Sequence, residues 1–201
     1  MNSLIPLFVI IPLGSAFIMS ILGRVIKNFN KFITPIFMLS LVYLTLHFIF
    51  NSEGSLIYKV GGHQPVNGVP IAIYMVMDGL SKLVLLIISV VGFLSIFYSL
   101  SYTKQYTSER KFYVLFSLMI AGMNGIVISG DIFNIYVFLE IAAIASYALV
   151  AFGVEKQQLE ASFKYQVLGG IASLIILLAI GLQYWNIGTL NIADISRQLT
   201  V

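Results

Sequence analysis

A single glutamate, Glu140, stands inside the run of apolar residues from Ile132 to Phe152. Eight residues at about 1.5 Å each put it roughly 12 Å from the nearer end, close to the midplane of a hydrocarbon layer about 30 Å thick. Neither end is within snorkelling reach. An acid at that depth costs at least about 2.5–3.5 kcal/mol on insertion scales, because desolvation penalises its charged form. The chemistry this allows is reversible protonation, so Glu140 is a candidate proton site. The competing reading is a protonated or hydrogen-bonded acid that holds helices together.

Other polar residues offer less. Lys164 falls about one turn inside the last apolar run, where on its own it reads as a snorkelling lysine. Asp78 and Lys82 are four apart with the acid first, the spacing and order that favour an ion pair on one helix face. Near the start of a span, such a pair would fix helix depth. Asn124 and Asn134 are placed to hydrogen-bond across a seam between the fourth and fifth spans. His47 is given no role, and His63 lacks a second histidine or carboxylate at ligand spacing, so no metal site is expected. The chain has no cysteine, which removes disulfides, iron–sulfur ligation and thiolate zinc; any redox centre must sit on a partner, and no cofactor is expected here. A phosphate-cradling glycine loop, a Gly-x-Ser-x-Gly elbow and a His-Glu-x-x-His pair are all missing. No covalent chemistry is expected on this chain.

The elements that position these residues follow from composition. Of 201 residues 59% are hydrophobic and 9% charged, against about 25% charged in a soluble domain. The apolar residues fall into runs long enough to cross a bilayer as helices. An all-α, polytopic membrane protein of about six spans is predicted, at roughly 4–23, 32–50, 74–99, 112–129, 132–152 and 161–185 in one membrane domain. The first run has no basic residue ahead of it and no small-residue cleavage site, so it reads as a retained helix. Between the second and third spans, residues 51–72 carry Gly54, Gly61, Gly62, Pro65, Gly68 and Pro70, which predict turns or a short extended segment. Only Gly130 and Asp131 separate the fourth and fifth spans, which must be antiparallel neighbours. Ser117, Ala121, Gly125 and Ser129 form a small-residue seam on the fourth, suited to close helix packing. The tail from Asn186 to Val201 reads as amphipathic, at or outside the interface.

One set of loops carries Arg24, Lys27, Lys31, Lys104, Arg110, Lys111 and Lys156, while the other carries Lys59 and Arg197. Basic residues gather on the cytoplasmic side, so the N-terminus is expected outside a cell membrane, with the Gly/Pro loop external. The formal charge of +3 is dispersed, without the basic stripe and interleaved aromatics of a nucleic-acid binder.

The run Gly130-Asp-Ile-Phe-Asn-Ile-Tyr-Val-Phe-Leu-Glu140, followed by Ile-Ala-Ala-Ile-Ala-Ser-Tyr-Ala-Leu-Val, resembles the fifth-helix segment of the antiporter-like proton-translocating membrane subunits. These are the membrane-arm subunits of respiratory complex I, the MrpD-type subunits of cation/proton antiporters, and relatives in membrane-bound hydrogenases. Asp78-Gly-Leu-Ser81, Lys111-Phe-Tyr and Ala161-Ser-Phe-Lys-Tyr-Gln-Val-Leu-Gly169 agree in the same order. The MrpD-type branch is the nearest in wording. The resemblance implies that Glu140 is the family's fifth-helix glutamate and Lys164 its sixth-helix lysine, forming a relay for H⁺ or Na⁺ among other membrane subunits. Members of the family have about fourteen helices in two inverted repeats, including a broken seventh helix with a lysine, beyond the six spans read here. The six spans correspond to an N-terminal portion. The alternative is a non-conducting structural or assembly subunit of a hydrogenase or quinone oxidoreductase complex, an enzyme subunit by association only.

Overall fold

The computed structural model describes residues 2–26, 28–62, 72–103 and 109–200. His63, Pro65, Gly68, Pro70, Lys27 and Lys104 lie outside the described residues. Among the described residues six helices are long and apolar enough to cross a membrane: α1 (Leu7–Leu22), α2 (Phe29–Asn51), α3 (Gly79–Tyr102), α4 (Glu109–Ile128), α5 (Ile132–Val150) and α6 (Lys156–Ile187). A short seventh helix, α7 (Ile192–Leu199), follows.

The third span starts five residues later than its apolar run predicts. Tyr74–Met77 form a strand, β2, paired antiparallel with β1 (Leu56–Lys59). These four residues alternate between half-buried and buried, the period of two that a pleated surface imposes. Asp78 then caps the helix, accepting from the Ser81 backbone N–H at 2.8 Å. The last span differs in the opposite sense, because α6 begins at Lys156 with a capping box between Glu155 and Gln158. It ends at Gly188, whose φ of 76° supplies the left-handed C-cap.

Four helices make the core. Phe8 and Met19 of α1, Met38, Leu41 and Phe48 of α2, Leu85 and Ile96 of α3, and Tyr113, Ile120 and Ile128 of α4 are almost completely enclosed. Asn124, expected to bond toward α5, instead donates to the Phe8 carbonyl of α1 at 2.9 Å. Asn134 does bridge the α4–α5 turn, donating to Ser129 Oγ at 2.8 Å. The small-residue seam lets α5 lie close on α4. A Cβ at Gly122 would approach the Ala142 nitrogen to 2.6 Å, and one at Gly125 would enter the Phe138 ring.

Backbone bonds stitch one end of the molecule together. Gly130 N–H donates to the Tyr74 carbonyl (2.8 Å), Ile132 N–H to Leu190 (3.0 Å) and Ile192 N–H to Gly130 (3.1 Å). Strand β2, the α4–α5 turn and the segment before α7 are thereby joined edge to edge.

Candidate functional site

Helix α5 is positioned by Asp131, whose carboxylate accepts from the Asn134 backbone N–H at 2.9 Å as its N-cap. Burial pushes the Asp131 carboxyl above its ordinary range, against the opposing pull of the Asn134 and Phe133 N–H groups. Nine residues in stands Glu140, half-buried. Its Oε1 is enclosed and has no hydrogen-bond partner, a state shared among the described residues only by Asn30 Oδ1 and Asn124 Oδ1. An enclosed carboxyl oxygen without a donor is costly when ionised, and a proton or an ordered water relieves that cost.

The same stripe of α5 carries two phenols, Tyr136 one turn before Glu140 and Tyr147 two turns after. Ser173 of α6 donates to the Tyr136 hydroxyl at 3.3 Å. The Ser162 hydroxyl donates to the Tyr147 carbonyl at 2.7 Å, and the Tyr147 hydroxyl lies against Gly169, where a Cβ would collide with it. Tyr147 also meets Tyr165 edge to face, with ring centroids 4.6 Å apart. The pairings 136 with 173 and 147 with 162 set an antiparallel register in which Glu140 falls opposite Gly169. A glycine there makes room for the Tyr147 hydroxyl on the helix that carries Glu140. Sequence reasoning passed over these phenols; their spacing of minus four and plus seven from Glu140 is the signal that finds them.

Lys164 is not brought to Glu140. Its ammonium pairs with Glu160, one turn earlier on α6, at 2.6 Å, with 69% of the side chain exposed. Ser162 faces α5, and two residues later the helix has turned by about 200°. Lys164 accordingly leaves from the opposite face of α6, and the early start of that helix sets it about 12 Å along the axis.

The ion pair expected between Asp78 and Lys82 is not formed. Asp78 is occupied as a cap, bonded to the backbone and hydroxyl of Ser81 at 2.8 and 2.9 Å; the Ser81 N–H first and its hydroxyl second hold this carboxyl below the usual range. Lys82 turns inward, 9% exposed, and donates to the carbonyls of Ser52 (2.8 Å) and Gly54 (3.4 Å) just past the end of α2. With the Asp78 carboxylate engaged as a cap, the Lys82 ammonium satisfies open carbonyls at and just past the end of α2 instead.

At the stitched end, Asp78, Ser129, Asn191, Asp194 and Arg197 line an open cavity of about 770 Å³. Arg197 pairs with the nearly enclosed Asp194 at 2.7 Å.

Residues 129–201 match the transmembrane family described as NADH:quinone oxidoreductase/Mrp antiporter. The chain is 32% identical to an Na(+)/H(+) antiporter subunit of Alkalihalophilus pseudofirmus over 98% of its own length and 39% of that protein. It is 36% identical to an NADH-quinone oxidoreductase subunit of Desulforudis audaxviator over 69% of its length and 27% of the relative. In structure it superposes, with a TM-score of 0.88 and 33% identity, on a chain of an archaeal respiratory membrane complex, the membrane-bound sulfane sulfur reductase, covering 98% of this chain and 39% of that one. The chain thus spans about two fifths or less of these relatives. Taken together, its six-span fold and its sequence place it in the antiporter-like family of membrane subunits shared by cation/proton antiporters and complex I-like assemblies.

Proposed function

We propose that this chain belongs to a proton- or sodium-translocating membrane complex, in which Glu140 takes up and releases the proton and Lys164 tunes its charge state. The observation that carries the reading is the enclosed, unpartnered Oε1 of Glu140 at mid-depth, on a stripe that also presents the hydroxyls of Tyr136 and Tyr147. Relatives named as Na(+)/H(+) antiporter and NADH-quinone oxidoreductase subunits support the class of complex, and they make other membrane subunits the natural partners. The excess of Lys and Arg on one set of loops supports an N-terminus outside the cell membrane.

Because Lys164 leaves from the opposite face of α6, in this reading it acts on Glu140 through space.

The test is Glu140→Gln in the native complex, scored by proton or sodium movement into vesicles, with Glu140→Asp alongside. Loss of transport in the first and partial retention in the second are expected. Unchanged transport in Glu140→Gln removes the proton role and leaves the structural reading, in which the chain holds larger subunits together.

A further inference from the structure

We propose that the Tyr147 hydroxyl is the group that hands protons to Glu140 and takes them from it, linking the acid at mid-depth to the end of α5. This step rests on the reading of Glu140 as the proton site and names its partner.

The placement of the phenol comes from helix geometry. Side chains on a helix lean toward its N-terminus, so Tyr147, two turns after Glu140 on the same face of α5, extends its ring back toward the carboxyl. Its hydroxyl rests against Gly169 of α6, the residue level with Glu140 in the register set by Ser162 and Ser173. Glu140 and Tyr165 are the charged or titratable groups that act on the phenol electrostatically. Gly169 keeps the place open, because a Cβ there would collide with the Tyr147 oxygen.

Elimination points to the same hydroxyl. Glu140 Oε1 is enclosed and lacks a donor, so bulk water does not serve it and its partner has to come from neighbouring side chains. Along the contact with α6 the other hydroxyls are spent or turned away. Ser162 donates to the Tyr147 carbonyl at 2.7 Å and Ser173 to the Tyr136 hydroxyl at 3.3 Å. Tyr136, one turn before Glu140, leans away from the acid by the same N-terminal tilt. The Tyr147 hydroxyl makes no hydrogen bond among the described residues. A donor without an acceptor thus stands on the same face as an acceptor without a donor, and a rotation of the Glu140 side chain joins them.

The transfer leaves the phenol neutral. The O–H bond of protonated Glu140 breaks as its proton passes to the Tyr147 oxygen, and the hydrogen already on that oxygen leaves to a water molecule at the rim of the α5–α6 contact. Glu140 ends as the carboxylate, Tyr147 as the phenol and the proton on water; the reverse sequence loads the acid. Tyr147 is suited to the outer step as well. It stands less than a turn from Val150, the last residue of α5, and meets the ring of Tyr165, which is 46% exposed.

The experiment measures proton movement into vesicles by the native complex carrying Tyr147→Phe, which keeps the ring against Tyr165 and removes only the hydroxyl. Transport is expected to fall about 100-fold, the lower end of what a positioned proton-transfer group contributes, while the complex assembles as before. Tyr184→Phe, at an exposed position of α6, should leave transport unchanged. Full transport in Tyr147→Phe beside lost transport in Glu140→Gln overturns the relay and leaves Glu140 as the proton site; full transport in both removes both. If Tyr147→Phe fails to assemble, Tyr147→3-fluorotyrosine retains the shape and the hydroxyl but makes the phenol more acidic. It should move the alkaline limb of the pH profile of transport to lower pH, and an unmoved limb overturns the proposal.

Discussion

Helices α1 to α4 and helices α5 and α6 are similarly apolar in sequence but are used differently. Half of the most apolar window of α4 is enclosed within the molecule, against 6% in α5 and in α6. The first four helices spend their apolar residues on one another. Of the last two, α6 turns most of its apolar residues outward and α5 leaves most of its own half-buried, with polar groups, Glu140, Tyr136, Tyr147 and Ser173, along the two helices. Apolar character therefore does not locate a core in a membrane protein, because lipid and a protein interior reward the same side chains.

Four measurements can break or sharpen this contrast. The largest effect is expected at the junction of the two regions. Gly125→Leu forces a side chain into the Phe138 ring and should cost about 3 kcal/mol or more, which heat-induced aggregation in detergent would show as a large fall in midpoint. Within the first region, Leu41→Ala, at a fully enclosed position, should cost about 2–5 kcal/mol. Leu178→Ala, on the outward face of α6, should stay within about 0.5 kcal/mol in the same assay. Equal effects at these two sites would mean that the second region is as tightly packed as the first.

Lys82→Met leaves the Ser52 and Gly54 carbonyls without their cation and should cost about 1–3 kcal/mol, read by denaturant unfolding. Asp78→Asn should cost less, and its partner test has the opposite sign. Asp78 is held low, so its contribution is present above about pH 3.9 and fades as the pH falls through its folded value. Asp131 is held high, so its contribution is present below about pH 3.9 and fades as the pH rises through its folded value. Asn preserves both caps. Stability measured from about pH 3 to 7 should therefore show Asp78→Asn losing ground to wild type as the pH rises, and Asp131→Asn gaining.

Much of this is readable from the chain alone, for reasons that also explain the misses. Six spans stand out because crossing a bilayer demands a length and a composition that little else does. Glu140 stands out because it violates that composition. The late start of α3 stays hidden, since Tyr74–Met77 are as apolar as a helix and become a strand only through pairing with Leu56–Lys59, far away in the chain. Lys82 escapes for the same kind of reason, its acceptors lying about 30 residues earlier, beyond any spacing rule for one helix. The direction of Lys164 depends on the register between α5 and α6, which follows from contacts at Ser162 and Ser173 and from no local pattern.

The edge-to-edge backbone bonds at Gly130, Ile132 and Ile192 give α6 an unequal pair of ends. Its terminus near Gly188 is pinned to the α4–α5 turn, while near its beginning the Ser162 hydroxyl holds it to the Tyr147 carbonyl of α5. A rod of 32 residues is about 48 Å long, so a tilt of about 10° around the pinned end would carry the other by roughly 8 Å.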